Sequence, residues 1–203
     1  MRMNLTSAVT AVATLGCLAT IGGRVQAAEA TGWNSVPAIE AAIEPPTFAD
    51  RDFAVTDYGA KGDAATDCRP AIDKAIAACT AAGGGRVVVP AGDWLVKGPI
   101  HLKSNVNLHL AEGATIRFST EPADYLPNVL ARYEGNEVMN FSPLLYAIDC
   151  ENIAITGSGT FDGLAGPKNW WRWKGSGNQD QEAVRQMGEE NVPVADRRFG
   201  EGH

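Results

Sequence analysis

Residues 86–118, RVVVPAGDWLVKGPIHLKSNVNLHLAEGATIRF, decide the fold. Val87-Val88-Val89 stops at Pro90-Ala91-Gly92, and Trp94-Leu95-Val96 stops at Lys97-Gly98-Pro99. Ile100-His101-Leu102 stops at Ser104-Asn105, Val106–Leu110 at Glu112-Gly113, and Thr115–Phe118 closes the series. In such short strands alternate side chains point into one interior while the others face outward. No crossover helix separates the runs, so the strand-helix alternation of an α/β sheet is excluded. Asn-Gly and Asp-Gly pairs, the strongest hairpin signals, are absent apart from Asp162-Gly163, which disfavours the alternative of a β-sandwich. An internal echo adds to this. Asn105-Val106-Asn107-Leu108 followed by Gly113-Ala114-Thr115-Ile116 is matched by Asn152-Ile153-Ala154-Ile155 followed by Gly159-Thr160-Phe161. Close-set strands with such a repeat predict stacked coils: an all-β chain folded as a right-handed parallel β-helix.

Outward from this stretch, residues 66–81 carry the convincing helix of the first half. Thr66 or Asp67 suits the N-cap, Pro70 falls in the first turn, and Ile72, Ala75, Ile76 and Cys79 share one face before Gly83–Gly85 end it. Its expected use is as an N-terminal capping helix over the open end of the coil. Phe53-Ala54-Val55 forms a first strand, and 28–52 reads as an extended lead-in rich in Ala, Pro and Glu. Residues 119–143 break the rhythm as a long loop carrying Tyr125, Arg132, Tyr133, Glu134 and Glu137, and loops of that length are functional or act as lids.

Residues 1–27 have the form of a signal peptide: Arg2, an apolar run over 8–21, and the small-residue site Val25-Gln26-Ala27. The run is too short and polar for a membrane span of about 20 apolar residues. A secreted or periplasmic protein is expected, with 53–203 forming the N-terminal part of one β-helix domain, incomplete at its C-terminus. Cleavage removes two of the 17 basic residues and none of the 24 acidic ones, leaving a net charge of −9. That balance argues against nucleic acid, which is bound by neutralising phosphates. Of the cysteines beyond the leader, Cys68 and Cys79 are eleven residues apart on one helix, about 16 Å along its axis, and cannot bridge each other. Buried thiols are expected rather than a disulfide involving Cys150, and no CxxC metal spacing occurs.

The chemistry concentrates in 168–174, KNWWRWK. Trp170, Trp171 and Trp173 offer flat apolar surfaces for the C–H faces of sugar rings, and Arg172 and Lys174 offer charge to a uronate carboxylate. At least one indole is expected to be core. Asp162 can cap a turn or serve a subsite, and Arg132 can contribute from the long loop. His101 and His109 are expected to be outward-facing or satisfied structural residues. No carboxylate pair is marked for glycosidic cleavage, which in an inverting enzyme spans roughly 6.5–9.5 Å.

The segments FAVTDYGAKGDAATD (53–67), AIDKAIAACTAAGGGRVVVPAGDWLVKGPIHLKSNVNLHLAEGATI (71–116) and IDCENIAITGSGTFDG (148–163), with NWWRW (169–173), closely resemble the N-terminal part of glycoside hydrolase family 28, the polygalacturonase-like pectinases. The resemblance implies a pectin-lyase-like right-handed β-helix and inverting hydrolysis of α-1,4 galacturonosyl linkages. It further implies no metal or other cofactor, and a pectic polysaccharide or oligogalacturonide as partner to a monomer. Members carry an Asn-x-Asp segment, an Asp-Asp pair, then Gly-His-Gly and Arg-x-Lys segments. That ordered series is not present, so no catalytic residue is assigned and the fragment itself is expected to be inactive. A lyase using calcium and a basic residue, and a non-catalytic β-helical adhesin, are the alternatives.

Overall fold

The computed structural model describes residues 32–174 and 178–200. The expected signal peptide at 1–27 lies outside them, as does His203. The chain divides into two units, residues 1–44 and 45–203. In the first, a 3-10 turn at Gly32–Ser35 runs into α1 (Val36–Ala42), where an extended lead-in is expected. Pro37 in the first turn, followed by Ala and Glu, suits a helix start, and Pro45-Pro46 prevents its continuation.

The second unit holds, in chain order, β1 (Asp52–Ala54), β2 (Asp63–Asp67), α2 (Arg69–Ala81), β3 (Gly85–Val89), β4 (Gly92–Val96), β5 (Ile100–His101), β6 (Val106–Leu110) and β7 (Ala114–Phe118). Then follow β8 (Val129–Tyr133), β9 (Asn136–Asn140), β10 (Leu145–Tyr146), β11 (Ala154–Gly157), β12 (Thr160–Asp162) and α3 (Asn178–Glu189). Three parallel sheets run along the stack: β1-β3-β6-β11, β2-β4-β7-β12 and β5-β10. The two middle coils, β3-β4-β5 and β6-β7-β10, contribute one strand to each of the three faces, and they lie between β1-β2 on one side and β11-β12 on the other. The five strands expected over 86–118 are all present.

Alternation fixes the core. Along β3, β6 and β7 every second residue is buried. Register then stacks Val87 on Leu108, Val89 on Leu110, Trp94 on Ile116 and Val96 on Phe118, all essentially inaccessible. Phe161 continues the Ile116 column and stacks on Phe118 at 6.2 Å between ring centres. The internal echo is a structural register: Asn107 faces Ala154 and Leu108 faces Ile155. The residues just before these strands turn with positive φ at Gly84, Asn105 and Asn152. Asparagine tolerates that geometry, and Asn152 Nδ2 donates to Asn105 Oδ1 at 2.9 Å, tying adjacent turns together.

Helix α2 buries Ile72, Ala75, Ile76 and Cys79 in the same core. Its N-cap is Cys68 rather than Thr66 or Asp67. Asp67 Oδ1 still accepts from Arg69 N and also from Lys97 N, both at 3.0 Å, so it joins the helix start to the next coil. Cys68, Cys79 and Cys150 are free thiols, the first two fully buried, and burial pushes both of those thiols up.

Residues 119–143 are not an open loop. β8 and β9 form an antiparallel hairpin turned at Glu134-Gly135, both with positive φ. α3 and the segment 197–199 pack on it through Val138, Val184 and Phe199, forming a small second core.

Before α2, Thr66 N, Ala65 N and the Thr66 hydroxyl donate to Asp63 and hold its carboxyl well below 3.8, at about 2. Because the folded value is depressed, this contribution to stability is present above about pH 4 and is lost as the pH falls through 2. A carboxyl-carbon NMR titration should put the Asp63 midpoint near 2, and Asp63→Asn should flatten the acid limb of the stability profile. A midpoint near 4 would remove the account.

Candidate functional site

The loop after β12 is knotted by one side chain. Asn169 Oδ1 accepts from Gly166 N at 2.6 Å and Trp170 N at 2.7 Å, while its Nδ2 donates to Leu164 O at 2.8 Å. This caps a 3-10 turn over Trp170–Trp173 and fixes the direction of the indoles. Trp170 Nε1 donates to Gly163 O at 2.9 Å. Its ring meets Tyr125 edge-on at 5.7 Å and Trp173 edge-on at 5.2 Å. Trp173 in turn lies nearly parallel to Phe141, 6.1 Å between centres. Tyr125 is buried and donates to Ser119 O at 2.6 Å, and burial pushes its phenol up to about 12, so it remains a donor. The two insertions, after β7 and after β12, thus share one aromatic seam.

Beside the seam opens a polar pocket of about 340 Å³ whose walls include Glu121, Lys168, Asn169, Trp170, Arg172 and Trp173. Two cations and one carboxylate face it, next to indole surface. Chemically it can receive an anionic, ring-shaped ligand: a guanidinium fork and an ammonium for a carboxylate, and aromatic carbon for an apolar ring face.

Of the residues singled out in the sequence, Trp170, Arg172 and Trp173 come together there. Trp171 is 57% exposed, and it and Lys174 do not line this pocket. Asp162 Oδ1 accepts from Leu164 N at 2.8 Å, the turn-capping use. Arg132 stands on β8 paired with Glu137 at 3.6 Å, apart from this pocket. Glu121 was not singled out, and its sequence signal, an acid before Pro122, marks only a turn. His101 Nε2 lies 3.0 Å from Ser142 Oγ, and His109 Nδ1 lies 2.9 Å from Thr156 Oγ1, both satisfied on the outer faces of the coil.

Arg172-Trp173-Lys174 and Asn178-Gln179-Asp180 reproduce two of the family's tripeptides letter for letter. They stand in the reverse order, without an Asp-Asp pair, on a 3-10 turn and at the start of α3, and carry no catalytic assignment. No helix among the described residues is long and apolar enough to cross a membrane.

Stacked parallel coils that carry an aromatic and cationic pocket on their inserted loops give the chain the architecture of a parallel β-solenoid. Residues 53–121 match the family profile described as rhamnogalacturonase A/epimerase, pectate lyase-like. The chain is 40% identical over 126 residues to the exo-poly-alpha-D-galacturonosidase of Dickeya chrysanthemi, covering 58% of this chain and 19% of that protein. It superposes on a hyperthermoactive exopolygalacturonase from Thermotoga maritima with a TM-score of 0.77 and 44% identity, over 82% of this chain and 39% of that one. A shorter match, 50% over 70 residues, links it to plasmin and fibronectin-binding protein A of Streptococcus pneumoniae, covering 34% of this chain and 10% of that protein. The chain thus spans less than half the length of each of these proteins. Its resemblance to the family 28 polygalacturonases holds in sequence and in fold alike.

Proposed function

We propose that this chain supplies the first coils and a substrate-holding loop of a secreted glycosidase that hydrolyses α-1,4 galacturonosyl linkages of pectin with inversion. In this reading the coil is right-handed, α2 covers its first end, residues 1–27 direct export, and the ligand is a pectic polysaccharide or oligogalacturonide. The protein acts as a monomer without a cofactor, and the bond-breaking carboxylates belong to coils outside this stretch. The observation that carries the reading is the convergence of Lys168 and Arg172 on the indoles of Trp170 and Trp173. The reach of the likeness supports it too: the sequence match to the galacturonosidase runs over 126 residues, well past the 70 shared with the pneumococcal protein.

Calorimetric titration with trigalacturonate tests it. Binding should weaken by about tenfold or more on Arg172→Ala, the scale of one charge-assisted contact, and less on Lys174→Ala, whose side chain is outside the pocket. Residues 28–203 alone should release no reducing ends from polygalacturonate. Equal binding by wild type and Arg172→Ala, or turnover by the isolated chain, would overturn the corresponding half of the proposal. The 50% identity to the pneumococcal protein favours a second reading, a non-catalytic binding coil. It predicts sugar binding with no product from the longest protein the reading frame encodes.

A further inference from the structure

The two insertions bring opposite charges to the candidate pocket. Thr120 and Glu121 come from the insertion after β7, and Lys168 and Arg172 from the one after β12. Glu121 is the only carboxylate among the described lining residues, and no ion pair within 4.0 Å joins it to either cation. Glu121 Oε1 takes one long hydrogen bond, from Ala123 N at 3.4 Å, and Oε2 takes none among the described residues. The residue itself is held in place. Glu121 N donates to Ser119 Oγ at 3.1 Å, and Glu121 caps the turn Pro122–Tyr125, whose Tyr125 meets Trp170 across the seam. Other polar groups on the wall are already committed: Asn169 Oδ1 accepts from two backbone N–H groups, and Trp170 Nε1 donates to Gly163 O.

Opposite charges that line one pocket without touching leave room for a ligand that pairs with both. Two cations against one carboxylate leave a single positive charge, which one uronate carboxylate neutralises. The rest of a uronate ring presents hydroxyls, and an ionised carboxylate is a strong acceptor for them. We propose that Glu121 is the specificity-determining residue of this pocket. It accepts hydroxyls of the same galacturonosyl ring whose carboxylate lies at Lys168 and Arg172, and so selects units with free ring hydroxyls over units O-acetylated there. An acetyl ester removes the O–H donor and offers only acceptor oxygens, leaving Glu121 without a partner. This rests on the reading of the pocket as a galacturonate site. Were Glu121 merely a like charge near the ligand, it would weaken galacturonate binding, so the two roles predict opposite signs on its removal.

The test titrates trigalacturonate, and the same trisaccharide O-acetylated on its ring hydroxyls, into the protein in the longest form its reading frame encodes. The free form should bind about tenfold tighter or better, the scale of one charge-assisted hydrogen bond. Glu121→Gln keeps an amide oxygen to accept from Ala123 N, so its urea midpoint should not move. It should weaken trigalacturonate by about fivefold or more, leave the acetylated form no weaker, and so narrow the ratio between them. Because the ratio is read within one variant, a loss of stability cannot mimic it. If Arg172→Ala weakens trigalacturonate but Glu121→Gln binds it as well as wild type or better, or keeps the ratio, this inference falls while the galacturonate site stands. If wild type binds neither trisaccharide, both fall.

Discussion

Gly157→Ala is expected to destabilise the protein by about 3–5 kcal/mol, far above the usual cost of adding one methyl group. Gly157 ends β11 with φ +95°, a region that costs a residue with a side chain about 1–3 kcal/mol. A Cβ there would also stand 1.9 Å from Leu110 O and 2.7 Å from the Leu110 carbonyl carbon. Leu110 cannot retreat. It is 1% exposed, pairs with Val89 of β3 on its other side, and is followed by Ala111, whose N–H donates to Val89 O at 2.9 Å. The methyl group would therefore push the last coil off the stack or break the β6-β11 pairing. Gly59 has nearly the same φ, +99°, with nothing within 4 Å of its Cβ position, so Gly59→Ala should show the conformational cost alone, about 1–2 kcal/mol. Urea unfolding of the two variants separates strain from collision. A Gly157→Ala midpoint no lower than that of Gly59→Ala would mean that the coils are not packed backbone to backbone at this turn.

The coil was legible because its determinants are local and repeat. Alternation sets which side chains of β3, β4, β6 and β7 face inward, and the Asn105/Asn152 echo sets the register between coils. Helix α2 announced itself by Ile72, Ala75, Ile76 and Cys79 on one face. The β8-β9 hairpin was not legible, because its turn is Glu134-Gly135, without the Asn or Asp that usually takes the first left-handed position. Reading 119–143 as loop followed from that. The candidate pocket was half legible for a different reason. Composition alone marks KNWWRWK as aromatic and cationic, yet Glu121 reaches the same pocket only because two insertions on successive faces of the coil meet through Tyr125 and Trp170. No spacing in the sequence encodes that meeting. Nor does it tell that Asp162 is occupied in closing its own turn and Arg132 in pairing across the hairpin.

Three neighbouring tryptophans should give three different answers to substitution, and Trp170→Ala should give the largest. Trp170 is half-buried, donates to Gly163 O, and is the ring on which Tyr125 and Trp173 converge. Its removal should cost about 2–4 kcal/mol and abolish galacturonide binding together with stability, because the wall carrying Arg172 depends on it. Trp170→Phe keeps a ring but leaves Gly163 O without its donor, a loss of about 1 kcal/mol. Trp171, largely exposed, should be replaceable by alanine within about 0.5 kcal/mol. Trp173→Ala should fall between them in stability while weakening galacturonide binding at the pocket it walls beside Arg172. Urea unfolding beside trisaccharide titration of the four variants is the measurement. If Trp170→Ala lost binding at unchanged stability, Trp170 would be a sugar platform exposed to ligand rather than the post that holds the platform up. The seam joining the two insertions would then have to be carried by Trp173 and Phe141, whose rings lie nearly parallel with 6.1 Å between centres, without the edge-on contact that Trp170 makes to Tyr125.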